Sequence, residues 1–239
     1  MAAENAVDNQ RLENLLRTIA ESGYSDLEYS EEERTEIERF ILGAPSADSD
    51  AAFDLYYRMT VNHDLIRAII EKTLLQATLV MATVYRHNYA LDSRVVSFFN
   101  SDFKRKSLIV QLWTRNSIAA FYPATFSHTV RRRPGPSKTW EVVRDSIPSG
   151  SRNGITVDMK EGRIVLLDGS TGFEVKEGWF IMLGYIMVDK IPPEWGYLRI
   201  EKADPKNVRR LRTNNLGARF KVVHDGEEES LNDPLKYNR

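Results

Sequence analysis

The chain has 239 residues, of which 42% are hydrophobic and 28% charged. This composition is that of a globular protein and excludes a disordered one. The absence of cysteine excludes disulfides, thiolate metal sites and a cysteine nucleophile. The uncharged, apolar run 73–85 is too short to cross a bilayer, and the N-terminus lacks a signal-peptide pattern. We therefore expect a cytoplasmic protein without a membrane partner, located in host cytoplasm or a virion if it is viral.

Charge is unevenly distributed, although the formal net charge is −1. Residues 1–60 carry 14 acids and 5 bases, whereas residues 61–140 carry 4 acids and 12 bases. An acidic front followed by a basic middle is typical of self-complementary packing, and equally of a basic surface that binds a polyanion. Both interpretations stay open at this point.

The first three predicted elements are helices with recognisable ends. Apolar residues recur at helical spacing before Gly23, which is a plausible stop. Ser30 and Glu33 have capping-box spacing, so each side chain can satisfy a free backbone N–H of the other. Ser49 is a suitable cap for a third helix.

Three further helices are predicted before residue 123. Apolar residues cover most of the circumference of the segment 62–84, which predicts a long helix at the centre of the core. A short helix is expected over 92–99. Ser101 would cap a last helix, which Pro123 would end.

The character of the chain changes near residue 130. Residues 131–138 combine three arginines, two prolines and a glycine, which breaks regular structure. We place a basic linker at 131–153, between a mainly helical domain (1–130) with an acidic N-terminal arm and a β-rich domain (154–239) with a polar C-terminal tail. The sequence thus predicts an α+β fold, in which an N-terminal bundle of five or six helices precedes an antiparallel sheet or small barrel of five or six strands. Short apolar runs separated by turn signals predict strands at 155–159, 163–167, 173–176, 179–189, 197–201 and 219–224.

Motifs with specific chemistry are missing. The sequence contains no nucleophile elbow, no P-loop and no dinucleotide-binding glycine pattern. Its four histidines share no helical turn, so they do not suggest a metal site. We predict no catalytic residue, no metal ligand and no cofactor, and we expect a protein that is not an enzyme.

Two short patterns nevertheless suggest nuclease chemistry. Asp168 is followed by Glu174 and Lys176 on what should be an adjacent strand. A metal-dependent nuclease could hold a divalent ion with two such acids and stabilise developing charge with the lysine. The same pattern is common on exposed hairpins. Arg58 and His63 have a spacing that some metal-free helical ribonucleases use, and it also arises often by chance.

Basic clusters favour nucleic-acid contact over these alternatives. Guanidinium groups donate bidentately to phosphate and remain charged, and contacts of this type do not read sequence. Aromatic residues lie near several of the clusters and could stack on bases. The candidate nucleic-acid-binding residues are Lys104, Arg105, Lys106, Arg115, Arg131, Arg132, Arg133, Lys138, Arg209, Arg210 and Arg212.

The leading functional hypothesis is a structural or assembly protein. The acidic arm of one subunit could dock on the basic middle of the next, as in coat or nucleocapsid proteins. Such a protein would self-associate as a homo-oligomer and could bind RNA without sequence preference. The metal-dependent nuclease is the alternative, and a small-molecule pocket between the two halves is also compatible with the sequence, without residues to nominate.

Overall fold

The computed structural model describes most of the chain, and helices form the smaller part of it. The α-helices in the described residues lie mainly on one side of the molecule, and a π-helical turn, Tyr57–Val61, extends the third of them. The helices are α1 Asn9–Ser22, α2 Glu31–Gly43, α3 Asp50–Tyr56, α4 Asp64–Thr73, α5 Pro123–Ser127 and α6 Pro205–Arg209. The described residues are 9–85, 94–135, 139–192, 195, 197–224 and 227–230.

Strands are the dominant elements of the described chain. They run from the end of α1 to the C-terminal region, and several are only two to four residues long. In chain order they are β1 Tyr24–Leu27, β2 Ala77–Tyr85, β3 Val96–Ser97, β4 Ser107–Trp113, β5 Ser117–Tyr122, β6 Arg132–Pro134, β7 Trp140–Val142, β8 Ile155–Met159, β9 Arg163–Asp168, β10 Gly172–Glu177, β11 Phe180–Met187, β12 Leu198–Ile200, β13 Leu216–Ala218, β14 Phe220–His224 and β15 Glu227–Ser230.

Two six-stranded sheets form the framework. The first has the order β1-β9-β4-β11-β2-β13 and the second β6-β7-β3-β10-β5-β8, while β12, β14 and β15 form a small third sheet. Neighbouring strands are antiparallel, except that β13 runs parallel to β2 and β12 parallel to β14. Side chains of both large sheets meet in one apolar cluster between them. Two facing antiparallel sheets connected in this way form a jelly roll.

Each large sheet is covered on both faces. The helices α1 to α4 and α6 pack on the outer face of the first sheet and enclose the largest apolar cluster. The segment that follows β5 covers the outer face of the second sheet through Ala124, Val130, Val142 and Ile147. The interior strands are consequently buried on both faces.

The predicted helical bundle followed by a small sheet is wrong. Strands β2, β4 and β5 occupy stretches that were expected to be helical, and the predicted helix at 92–99 contains β3, with residues 92–93 outside the described part. The error has a physical cause, because a strand covered on both faces is apolar throughout and its periodicity cannot be distinguished from that of a buried helix. The predicted helix at 62–84 is helical only to Thr73.

Several local predictions are confirmed. The capping box of Ser30 and Glu33 is present at the start of α2, and the Ser49 hydroxyl accepts from the Ala52 N–H at the start of α3. Strands β8 to β11 lie where the turn signals predicted them, and β11 is a central strand between β4 and β2.

The predicted division at 131–153 stays a prediction, although each large sheet contains strands from both sides of that segment. Within the described ranges, no helix is long and apolar enough to span a membrane, and the compartment stays a prediction.

Candidate functional site

A cavity of about 450 Å³ opens beside β2 and β3. Five of the described residues that line it are aromatic, and no carboxylate, histidine or lysine is among these described residues. The volume lies within the range of cavities that bind small molecules. The lining residues are Val80, Met81, Phe98, Phe99, Trp140, Trp195, Tyr197 and Leu198.

The aromatic wall is held in place by ring stacking. Trp195 stacks on Phe99 with 5.5 Å between the ring centroids, and on Phe103 with 5.7 Å. Phe98 meets Phe99 edge-on at 5.1 Å. The backbone N–H groups of Phe98 and Phe99 both donate to the carbonyl of Gly169, at 3.1 and 2.8 Å. The two phenylalanines therefore have a fixed backbone as well as fixed rings, and this side of the cavity is preformed.

A charged group contacts the lining at Tyr197. The guanidinium of Arg219 lies over the Tyr197 ring, 5.1 Å from its centroid. A cation at this distance is attracted by the ring face and orients the tyrosine. The remaining lining side chains there, Val80, Met81 and Leu198, are aliphatic. The described lining thus combines apolar walls with a few polar groups, which are the Tyr197 hydroxyl and the indole N–H groups of Trp140 and Trp195.

Asp168 is a buried carboxylate with a structural role. It is 3% exposed, and its oxygens accept hydrogen bonds from the Ser170 N–H and hydroxyl and from the Arg105 N–H at 2.6 Å. Burial raises the pKa of Asp168 above its usual value, against the lowering effect of these hydrogen bonds. Arg105 has a φ of 58°, so the carboxylate stabilises a left-handed residue in the turn before β4.

Glu174 is the centre of a second polar cluster. The Tyr122 hydroxyl donates to it at 2.6 Å, and Arg144 and Lys176 pair with it at 3.2 and 3.4 Å. Burial raises the pKa of Glu174, but the hydrogen bonds from Tyr122 and Arg144 and the charges of Arg144 and Lys176 together lower it below its usual value. The cluster lies on the outer face of the second sheet, since Phe173 and Val175 of the same strand point between the sheets.

The structure does not assemble the predicted nuclease site. Asp168 belongs to the first large sheet and Glu174 to the second. Both carboxylates are engaged by the contacts described above, and Lys176 pairs with Glu174 itself. The side chains of the second pattern are also engaged, because Arg58 binds Asp54 and Glu36 while His63 caps α4.

The basic residues of the middle segment are dispersed. The Lys104 ammonium and the Arg105 guanidinium lie over the Phe126 ring, and Lys106 donates to the Asp102 carbonyl. Arg115 pairs with Glu38 at 2.8 Å in a different region of the surface.

The remaining candidates also have structural partners where the structure describes them. The half-buried Arg132 donates to the Ser97 hydroxyl and to the carbonyls of Thr125 and Ser170. Arg131 is exposed, Arg133 pairs with Glu141, and Arg210 pairs with Asp54 and lies over Tyr57. Arg209 and Arg212 lie at the end of α6, and Lys138 is outside the described residues. Their assignment to nucleic acid stays a prediction.

The acidic front of the chain is paired within the same molecule. Ion pairs connect Glu38 with Arg115, Asp26 with Arg163, and Asp54 with Arg210. Acids of the first 60 residues thus contact bases from the middle and the end of the chain. Of the two interpretations of the charge pattern, self-complementary packing accounts for these contacts.

The comparisons with known proteins rest on structure alone. No protein-family model matches the chain, and no curated relative matches its sequence. The epimerase SnoN, solved with Fe³⁺, alpha-ketoglutarate and nogalamycin RO, matches with a TM-score of 0.52 and 15% identity over 75% of this chain and 85% of SnoN. Apo HygX from Streptomyces hygroscopicus matches with 0.52 and 13%, over 77% and 88%. HygX with nickel, 2-oxoglutarate and hygromycin B matches with 0.51 and 9%, over 81% and 92%.

These similarities establish the fold and correct the functional hypothesis. At such low identity they show a shared jelly roll. The prediction of a non-enzymatic, self-assembling, coat-like or viral structural protein is wrong. It rested on the segregation of charge, but acids of the front pair with bases of the same molecule, and the structures that share this fold include the epimerase SnoN. The nuclease alternative is wrong as well, because its two acids lie in different sheets.

Some structures that share this fold hold a metal ion, but the described residues of this chain do not fit one. No group of three His, Asp or Glu side chains that could hold a metal is present in the described ranges. The aromatic cavity was missed by sequence analysis because its residues come from four separate stretches of the chain. The signal that could have pointed to it is weak, namely aromatic pairs at 98–99 and at 195 and 197 beside turn-forming residues.

Proposed function

We propose that this protein binds a ring-bearing, largely apolar small molecule in the aromatic cavity. The observation that carries the proposal is a preformed cavity of about 450 Å³ with five aromatic side chains in its wall. Flat rings gain from stacking on aromatic side chains beyond the area they bury. The Tyr197 hydroxyl offers one hydrogen-bonding partner, which would fix the orientation of a bound molecule.

The fold neighbours support a small-molecule ligand. SnoN was solved with nogalamycin RO and HygX with hygromycin B. The shared fold therefore accommodates organic small molecules.

The test is a binding titration with the fluorescent probe N-phenyl-1-naphthylamine. Trp195→Ala and Trp140→Ala remove aromatic walls, and Trp179→Ala is the matched control because Trp179 lies outside the cavity. We expect each cavity variant to weaken binding at least about tenfold, since losing one aromatic contact is worth about 1.5 kcal/mol. Circular dichroism checks that each variant is folded. Equal affinity in all three variants and the wild type, or no binding at all, would refute the proposal.

A further inference from the structure

Iron of the kind implied by the fold needs a definite set of ligands. Non-haem iron sites with open positions use two histidines and one carboxylate. SnoN and HygX were solved with Fe³⁺ or nickel together with a 2-oxo acid. Whether this chain can bind a metal in the same way depends on which metal-ligating side chains of its jelly roll face the space between the two large sheets.

The described histidine side chains are not directed at that space. Nδ1 of His63 accepts from the Ile66 N–H at the start of α4, and Nε2 lies 3.1 Å from Glu33. Both ring nitrogens are thus engaged, one in capping α4 and the other in a contact with α2. His128 is exposed at the end of α5, and its Nδ1 shares a hydrogen bond of 2.8 Å with Ser127.

The two buried carboxylates point away from the space between the sheets. On β9, Val165 and Leu167 face that space, and the alternation of a strand directs Asp168 to the helix-covered side. On β10, Phe173 and Val175 face it, so Glu174 is directed to the outer side. Each acid is also held by several donors, so that moving it inward would leave buried hydrogen-bonding groups without partners.

Stacked rings fill the space instead. Phe180 stacks on Trp113 at 4.3 Å and on Tyr85 at 4.9 Å, and it meets Phe173 edge-on at 5.9 Å. Gln111 accepts from the Trp113 indole N–H at 3.0 Å, so the amide oxygen is occupied. Its amide nitrogen, which has no partner among the described residues, is not a metal ligand.

We infer that the interior of this jelly roll is an aromatic core in place of a metal centre, and that the ligand proposed above binds without metal or 2-oxoglutarate. The second half of this inference rests on the proposed function. The first half rests on the positions of the histidines and carboxylates and on the rings around Phe180.

The experiment is a metal titration of the full chain. The protein is stripped with EDTA and dialysed against Co(II), with and without 2-oxoglutarate, and bound metal is measured together with visible d–d absorption. We expect far less than one ion per chain and no d–d band. The affinity for N-phenyl-1-naphthylamine should stay within about twofold under all these conditions, because a ligand that does not touch a metal is not linked to it.

Three histidine variants make the outcome decisive. His87 and the side chain of His224 are not described by the structure, so His87→Ala and His224→Ala test them as ligands. One ion per chain that is lost in either variant would overturn the inference. Substoichiometric binding that falls only in His128→Ala comes from an exposed histidine and agrees with a metal-free interior. Absence of probe binding would refute the proposed function, while the metal titration would still decide whether the interior of the jelly roll holds a metal centre.

Discussion

Tyr122 donates its hydroxyl hydrogen to the carboxylate of Glu174 across 2.6 Å, and it accepts a hydrogen bond from Arg144 at 3.1 Å. The phenol thus connects a buried acid to a half-exposed base. Burial and the hydrogen bond to Glu174 raise the pKa of Tyr122 to about 12, so the hydroxyl is a donor at all physiological pH values. This contact holds the segment around Arg144 against the second sheet.

Tyr122→Phe is expected to destabilise the protein by about 1.5–3 kcal/mol, the usual worth of a hydrogen bond to a charged group. Urea unfolding followed by circular dichroism measures the change. Tyr57→Phe is the matched control, because its ring face, on which Arg210 lies at 4.1 Å, is kept. If Tyr122→Phe lowered the free energy of unfolding no more than the control does, the hydrogen bond to Glu174 would contribute nothing to stability.

Acid should weaken the fold through Glu174. Because its pKa is lower in the folded than in the unfolded protein, its contribution to stability is complete above the unfolded-state pKa and is lost as pH falls through the folded-state pKa. We expect the free energy of unfolding to drop through this group as the pH falls below about 5. Asp168 acts in the opposite direction. Its pKa is raised in the folded protein, so its contribution to stability is present at low pH and is lost as the pH rises.

Glu174→Gln separates the two contributions. The difference in unfolding free energy between the wild type and this variant should shrink as the pH is lowered, since only Glu174 differs between them. Unfolding curves at several pH values provide the measurement. A difference that is constant with pH would contradict a lowered pKa for Glu174.

Gly178 is required by the turn between β10 and β11. Its φ is +90°, and an added Cβ would stand 2.7 Å from the Ser117 Cα. Gly178→Ala should cost about 1–3 kcal/mol from the dihedral angle alone, and the contact with backbone adds to this. Gly150→Ala is the control, because no atom lies within 4 Å of its added Cβ, and its melting temperature should match the wild type. Equal melting temperatures for both variants would be inconsistent with this geometry.

The start of α2 depends on a reciprocal cap. The Ser30 N–H donates to the Glu33 carboxylate at 2.7 Å, and the Ser30 hydroxyl accepts from the Glu33 N–H at 3.3 Å. Ser30→Ala should cost about 1 kcal/mol of unfolding free energy, whereas Ser30→Thr should retain most of the stability. Chemical denaturation of both variants tests this, and an equal loss in the two would argue against capping by the hydroxyl.

Local signals made part of the fold predictable. The caps of α2 and α3 act over three residues, and the turns between β8 and β11 separate short runs of clear alternation. Such features are encoded by neighbouring residues, so that sequence patterns are sufficient to locate them.

Features that depend on distant residues were not predictable. The apolar residues of β2 look alike in a buried helix and in a strand covered on both faces, and only the presence of β11 and β13 beside it decides between them. The aromatic cavity was not predictable for the same reason, because Phe99, Trp140 and Trp195 meet only after the sheets have formed. The charge pattern was visible, but the contact of Asp54 with Arg210 required the position of α6.

The pairing of early strands with late ones has a consequence for biosynthesis. Tyr24 of β1 pairs with Leu167 of β9, and Ala77 of β2 pairs with Met187 of β11. At about 5–20 residues per second of translation, β2 leaves the ribosome several seconds before its partner exists. Pairing between segments so distant in sequence also folds slowly. A nascent chain that stops before β11 would expose the edges of β2 and β4, so we expect it to depend on chaperones and its truncated fragments to aggregate.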